Sequence, residues 1–162
     1  MTTEDIIGHL NLLIETSLDG ELGYRTAAEH VHNTQLQAVF AAYAKQRARF
    51  VDQLQAEVLR LGGAAAVSGS LVAAMHRGWI DVKAAFSGGD GSAIVAACET
   101  GEGAALATYE KVLDMDVSGE TRALVNAQFS QVQEAHKHML RLKQSTITTG
   151  NSPKAQTSKG EA

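Results

Sequence analysis

The sequence predicts an all-α fold: an antiparallel four-helix bundle with a helical crossover between helices 2 and 3. Three observations support this prediction. Only 1 proline interrupts the 162 residues, so long helices can form without the kink that a proline causes. Aromatic residues make up 5% of the chain, and its short β-branched runs give no convincing strand. Four long stretches instead repeat apolar residues at helical spacing.

The composition restricts the classes of function. The formal net charge is −4, with 14 basic and 18 acidic residues, which argues against nucleic-acid binding because phosphate contacts need a basic patch. No apolar run reaches the ~18 residues of a membrane-spanning helix, and the N-terminus MTTEDIIGHL lacks the basic region of a signal peptide. The one cysteine, Cys98, excludes an internal disulfide and fits a reducing compartment. We therefore expect a cytoplasmic protein without membrane contact.

Helices 1 and 2 are predicted over residues 4–32 and 34–61. Thr2 or Thr3 can cap helix 1, and Thr34 and Gln37 have the spacing of a capping box for helix 2. The short link makes the two helices an antiparallel hairpin, and Gly62 and Gly63 end helix 2. The predicted buried stripes are Ile7, Leu10, Ile14, Leu18, Glu21, Arg25 and Ala28 in helix 1, and Leu36, Val39, Phe40, Tyr43, Arg47, Phe50, Leu54, Val58 and Leu61 in helix 2.

The second half begins with a long connection over residues 62–92. Its middle, residues 71–86, is predicted as the crossover helix, and Asp90 or Ser92 can cap helix 3 over residues 93–115. Helix 4 is predicted over residues 120–144. The bundle domain spans residues 1–145, and the polar, unpatterned residues 146–162 are predicted to be a disordered tail. The stripes are Ile94, Cys98, Glu102, Ala105, Tyr109 and Val112 in helix 3, and Thr121, Val125, Gln128, Val132, Ala135, Met139 and Leu142 in helix 4.

Polar residues interrupt each buried stripe near its middle, which predicts a polar centre in the bundle. Buried charges must be paired or bound to metal because their desolvation costs several kcal/mol per ion. Gly20 and Gly23 flank the polar residue of helix 1, as Gly101 and Gly103 flank that of helix 3, and both pairs suggest a close helix approach. The predicted polar network is Glu21, Gln46, Arg47, Glu102, Gln128 and His136.

Several segments resemble a family of small bacterial four-helix bundles, the DUF2383 family. They are GELGYRTAAEH, AAYAKQRARFVDQLQAEVLRLGG, HRGWIDVKAAFSGGDGSAIVAACETGEGAALATYEKVL and helix 4, so the resemblance covers about residues 4–144. It implies a ferritin-like bundle and no established activity. By analogy with the family, it also implies an association with stress.

The resemblance to the wider di-iron superfamily implies a metal site that this chain matches only in part. Glu21 and Glu102 match the single glutamates of helices 1 and 3, and His136 matches the helix 4 histidine. The residue three before His136 is Gln133 rather than glutamate, and the matching pair on helix 2 is Gln46 and Arg49.

Three interpretations of the polar centre stay open. The Arg47 guanidinium can neutralise Glu21 and Glu102 in place of a metal. Glu21, Glu102 and His136 can form a single or weak metal site, with iron as the candidate ion. The polar residues can also be exposed if the predicted helix packing is wrong.

The first two interpretations of the polar centre predict different functions. The first prediction is a non-enzymatic bundle with a degenerate di-iron site, without a cofactor, that associates with itself or with a protein partner. The alternative is a non-haem iron-binding protein or oxidase that uses Glu21, Glu102 and His136. A DNA-protecting role is a third hypothesis, which the acidic balance disfavours although Lys154 and Lys159 lie in the tail.

Other candidate residues favour structural roles. Glu29 and His32 form a Glu-x-x-His pair, but in the last helical turn a histidine stabilises the helix dipole. Trp79 is expected to anchor the crossover by packing, and Cys98 to be a small core residue.

Overall fold

The computed structural model describes residues 1–67, 79 and 90–150, with side chains to residue 145 in the last helix. This part of the chain forms four helices and confirms the all-α four-helix bundle. The predicted crossover helix over residues 71–86 lies outside the described residues, apart from Trp79, and so does the tail beyond residue 150. The last helix continues six residues past its predicted end. The helices are α1 (Thr3–His30), α2 (Thr34–Arg60), α3 (Gly91–Leu113) and α4 (Gly119–Gly150).

The helices form two antiparallel hairpins, α1–α2 and α3–α4, which pack side by side. Leu10 of α1 lies with Val112 of α3, and the opposite ends of these two helices share a second cluster, so α1 and α3 are antiparallel. The α2 and α3 helices are therefore parallel. Because α2 ends beside Thr121 of α4 and Gly91 lies beside Leu36, the connection between the hairpins joins opposite ends of the bundle. The 27 residues of α2 make this distance about 40 Å.

Two apolar clusters fill the bundle, one toward each end. The first includes Leu10, Leu54 and Val125. The second includes Phe40 and Met139. Arg47 of α2 and Glu102 of α3 fall between these clusters along their helices, so this charged pair lies where the two apolar cores meet.

The helix ends follow standard capping chemistry. Thr2 caps α1 in a capping box with Asp5, and the Asp90 side chain accepts from Ser92 N at 3.0 Å to begin α3. The predicted cap of α2 was one residue late. Asn33 is the cap, and its side chain accepts from Leu36 N at 3.0 Å.

After Ile14 the buried stripe of α1 lies one residue before the predicted one, so Leu18 and Ala28 are only partly buried. The structure buries Ser17, Gly20 and Tyr24, whereas Arg25 is exposed. The predicted stripe included Leu18 because its side chain is large and apolar. The helix instead turns Gly20 and Gly23 inward, where Arg47 and Trp79 occupy the space beside them. The stripes of α2, α3 and α4 match the prediction at nearly every position.

The end of α2 depends on one glycine in a left-handed conformation. Gly62 has a φ of 83°, and its N–H and that of Gly63 donate to the carbonyls of Leu59 and Val58, both at 3.0 Å. This is a Schellman motif. Gly62→Ala is expected to lower the free energy of unfolding by about 1–2 kcal/mol, because a Cβ strains this conformation.

Urea unfolding followed by circular dichroism at 222 nm measures this effect. Gly8→Ala is the control, since a Cβ at Gly8 meets nothing within 4 Å and alanine favours a helix by up to ~1 kcal/mol. Equal effects of the two substitutions would contradict the assigned role of Gly62.

Candidate polar centre

A buried ion pair joins the two hairpins at the middle of the bundle. Arg47 of α2 is 1% exposed and Glu102 of α3 is 0% exposed. Nη2 of Arg47 donates to Glu102 Oε1 at 2.6 Å and to Oε2 at 2.8 Å. Both residues lie on the apolar stripes of their helices, which explains why these charged side chains point into the core. Such a pair offsets its desolvation cost only when its geometry is good and its other polar atoms are satisfied.

Two aromatic rings and a glycine surround the Arg47 side chain and accommodate its planar guanidinium. Its guanidinium carbon lies 5.5 Å from the ring centroid of Phe50 and 5.8 Å from that of Tyr24, within the range of cation–π attraction. A Cβ at Gly20 would lie 3.3 Å from Cγ of Arg47, so the glycine leaves room for the side chain. Burial by itself lowers the pKa of Arg47, but the charge of Glu102 opposes burial and the net pKa is raised. Arg47 is therefore a permanent cation.

Tyr24 completes this centre from α1. Its hydroxyl donates to Glu102 Oε1. Burial, reinforced by the negative charge of Glu102, holds the pKa of Tyr24 well above its usual value, so the phenol keeps its proton. Among the described residues, no buried side-chain nitrogen or oxygen lacks a hydrogen-bond partner. The centre is a satisfied network of one cation, one anion, the neutral Tyr24 donor and the Gln46 side chain, whose Oε1 accepts from Arg47 Nε.

The single tryptophan fills a slot between α1 and α3 beside this network. Cβ atoms built at Gly23 and Gly101 would lie 2.1 Å and 2.4 Å from the indole of Trp79, so only glycine fits on either side of the ring. The indole meets the Tyr24 ring edge-on at 5.2 Å between centroids. Gly23 and Gly101, one from each glycine pair that predicts a close helix approach, therefore hold an aromatic ring between the helices.

A second, uncharged network lies nearer the start of α4. Gln128 Nε2 donates to the Phe50 carbonyl at 3.3 Å and to Gln53 Oε1 at 2.9 Å. Its Oε1 accepts from the Tyr109 hydroxyl at 2.8 Å. Burial raises the pKa of Tyr109 to about 12. The Ser17 hydroxyl of α1 lies 3.4 Å from that of Tyr109, so this network connects all four described helices without a charge.

The structure separates several of the residues that the sequence places in one network. Arg47, Glu102 and Gln46 lie together, with Gln46 Oε1 accepting from Arg47 Nε at 3.4 Å. Glu21 is 22% exposed and pairs with Arg25 one helical turn along. Gln128 belongs to the uncharged network, and His136 lies 3.1 Å from Glu99 in a partly exposed pair.

These positions do not fit a di-iron centre, which needs several carboxylates to balance its charge. Both oxygens of Glu102 accept hydrogen bonds from Arg47. Glu21 and His136 pair with other residues, in partly exposed positions. Within the described ranges, no group of three or more His, Cys, Asp or Glu residues could hold a metal ion.

The predicted polar network leaves out the residues that complete the centre. Tyr24 was assigned no place on the buried stripe because the phase of α1 was shifted, and the glycines spaced three apart were the signal for the true phase. Trp79 was predicted as a packing anchor, and its burial at 9% exposure agrees with that role, but its contact with Tyr24 joins distant segments and has no signature in the sequence.

A separate carboxylate near the end of α2 is expected to make the fold sensitive to acid. Glu57 is 8% exposed and accepts from Arg60 Nε at 2.8 Å, Arg60 Nη2 at 2.6 Å and the Thr121 hydroxyl. The hydrogen bonds from Arg60, and next those from Thr121, lower the pKa of Glu57 against the opposing effect of burial.

The free energy of unfolding is expected to fall as the pH drops below about 4.3, the ordinary pKa of glutamate. A carboxylate whose pKa is lowered on folding stabilises the protein above its unfolded pKa and loses this effect as the pH falls through its folded pKa. Glu57→Gln should reduce the acid dependence measured by urea unfolding across pH 3–7. Glu110→Gln, at an exposed side chain on α3, is the control, and an unchanged acid slope in Glu57→Gln would refute this assignment.

Comparison with known proteins gives a family without an assigned activity. None of the described helices is both long and apolar enough to cross a membrane. No curated protein matches the chain. The family model described as a domain of unknown function, DUF2383, matches residues 5–115. This match contains Tyr24, Arg47, Trp79 and Glu102 and covers more than half of the chain, which therefore belongs to the DUF2383 family.

Proposed function

We propose that this chain is a non-enzymatic, ferritin-like bundle in which the Arg47–Glu102 pair replaces a lost di-iron centre. The observation that carries the proposal is the bonding of Glu102. Both of its oxygens accept from Arg47, and one also accepts from Tyr24. A guanidinium that cannot lose its proton under physiological conditions neutralises the carboxylate as a metal would. The centre then stabilises the fold, and Glu102 has no free oxygen with which to bind a metal ion for catalysis.

The connectivity supports the ferritin-like assignment. Ferritin-like bundles have one long crossover connection, and here the connection between α2 and α3 joins opposite ends of the bundle. The glutamate of α3 occupies the core as such a bundle requires, while the position expected for its counterpart on α1 faces Arg25.

A protein with a closed centre acts through its surface, and we place its function in association with a second copy or with a protein partner. A cytoplasmic location is part of the proposal, supported by the one thiol, Cys98, which is buried and free and suits a reducing compartment. The acidic net charge of −4 makes a nucleic acid an unfavourable partner.

Iron analysis tests the proposal. The full chain, purified without chelator, is incubated with ferrous iron under anaerobic conditions, desalted, and analysed for iron. We expect no stoichiometric iron in the wild type, because Glu102 is already bonded to Arg47. Glu102→Gln and Glu99→Gln serve as variants at the centre and at the partly exposed histidine pair. Stoichiometric iron that Glu102→Gln removes and Glu99→Gln retains would refute the lost-metal proposal.

Light scattering after size exclusion tests association. The proposal predicts a mass that rises with protein concentration, or a monomer that binds a partner. Added DNA should not change the elution at physiological salt, and retention of DNA that salt reverses would favour the DNA-protecting hypothesis instead.

A further inference from the structure

We infer that Tyr43 and His138 form a proton-coupled, one-electron oxidation site at which the protein can hold a neutral tyrosyl radical. This inference goes beyond the proposed function and does not depend on association. It starts from a contact between the hairpins: the Tyr43 hydroxyl of α2 lies 2.7 Å from Nδ1 of His138 on α4. The two rings meet edge-on at 5.8 Å between centroids.

The chain contains 3 tyrosines, and the hydroxyl of each lies against a different kind of group. Tyr24 donates to the Glu102 carboxylate, which Arg47 already neutralises. Tyr109 donates to the amide oxygen of Gln128, which is a very weak base. Only Tyr43 faces an imidazole nitrogen.

The acceptor decides which tyrosine can be oxidised, because a phenol that loses an electron becomes a strong acid and must release its proton. A neutral imidazole accepts that proton readily. Burial, and next the positive charge of Arg141, lowers the pKa of His138, so its ring is neutral and can accept through Nδ1 with its own proton on Nε2. At Tyr24, protonation of Glu102 would leave the buried Arg47 without its counterion, which is strongly unfavourable.

The position of Tyr43 suits contact with an oxidant and with the interior. Its side chain is partly buried, whereas Tyr24 and Tyr109 are 0% and 1% exposed. The Tyr43 ring lies 5.3 Å from that of Tyr24, which lies 5.2 Å from that of Trp79. If the ring of Tyr24 or Trp79 is oxidised, Tyr43 is therefore close enough to donate an electron to it.

A diffusible one-electron oxidant, such as an oxygen-centred radical, takes one electron from Tyr43 and is reduced by one electron. The phenolic proton moves to Nδ1 of His138. The products are a neutral Tyr43 phenoxyl radical and a His138 imidazolium, and any one-electron reductant, such as a thiolate or ascorbate, returns the electron while His138 returns the proton.

Electron paramagnetic resonance of the full chain tests this inference. The probe is ruthenium(III) tris-bipyridine, generated by a light flash with persulfate, and samples are frozen within milliseconds. We expect a tyrosyl signal in the wild type that Tyr43→Phe removes or replaces with a tryptophan signal from Trp79, while Tyr109→Phe retains it. Circular dichroism of each variant establishes that the bundle is folded.

His138→Leu distinguishes a redox role from a merely structural hydrogen bond. We expect a several-fold lower radical yield, partly restored by added imidazole, and a loss of the kinetic isotope effect seen in heavy water. A tyrosyl signal unchanged in Tyr43→Phe would overturn the inference, as would a His138→Leu variant with the yield and rate of the wild type.

Discussion

Arg47→Met is expected to lower the free energy of unfolding by about 3–5 kcal/mol, because it leaves the Glu102 carboxylate buried without its counterion. Glu102 is 0% exposed, so water cannot replace the guanidinium. The Tyr24 hydroxyl still donates to the carboxylate in this variant, but one neutral donor does not balance a charge. Urea unfolding at pH 7, followed by circular dichroism, measures the loss.

The double variant Arg47→Met/Glu102→Leu decides whether the loss comes from the unpaired charge. Replacing a buried ion pair with apolar residues of similar volume is often neutral or stabilising, so the double variant should regain most of the lost stability. The coupling energy of the cycle then exceeds the near-zero value of independent sites. Arg25→Met, which breaks a partly exposed pair with Glu21, is the control and should cost about 0–1 kcal/mol. Additive effects at Arg47 and Glu102 would refute this account of the centre.

Gly23→Ala is expected to destabilise the protein by about 1–3 kcal/mol or more, although alanine is the better helix former. The new Cβ would lie 2.1 Å from the Trp79 indole, so the ring must leave its slot. Gly101→Ala, with a distance of 2.4 Å, should have a similar effect from the other side of the ring. The fluorescence of the only tryptophan should shift to the red as water reaches it.

Removal of the Trp79 indole is expected to abolish or reverse the destabilising effect of Gly23→Ala. Trp79→Ala should cost about 3–5 kcal/mol by itself, but Gly23→Ala added to Trp79→Ala should be neutral or stabilising because the clash no longer exists. Circular dichroism in urea replaces fluorescence for these variants. If Gly23→Ala costs as much without the indole as with it, the glycine acts by another mechanism.

The sequence determined the fold more firmly than the centre, and α1 shows why. In α3 the periodicity of Ile94, Cys98 and Ala105 fixes the helix phase on both sides of Glu102. In α1 the apolar signal fades after Ile14, where Ser17 and Gly20 are buried for reasons that lie on other helices. Periodicity measures hydrophobicity and is blind to small residues that make room for a neighbour.

The partners within the centre were harder to predict than its location. The stripes placed Arg47 and Glu102 at matching heights, and their opposite charges made a pair plausible. The burial of Tyr24 and the exposure of Glu21 depend on a rotation of about one residue, 100° on a helix, which no local pattern fixed. His136 resembled a ligand by its place in α4, yet its partner is Glu99.

The contacts between α2 and α4 form a ladder that sets how the two hairpins assemble. Glu57 meets Thr121, Gln53 meets Gln128, and Tyr43 meets His138, in antiparallel order along the bundle. Each rung joins one hairpin to the other, as does the Arg47–Glu102 pair. A slip of one helical turn, about 5.4 Å, would break every rung at once and bury unpaired charges. The apolar cores stabilise any close packing of the two hairpins, whereas these polar contacts are satisfied in only one register along the bundle.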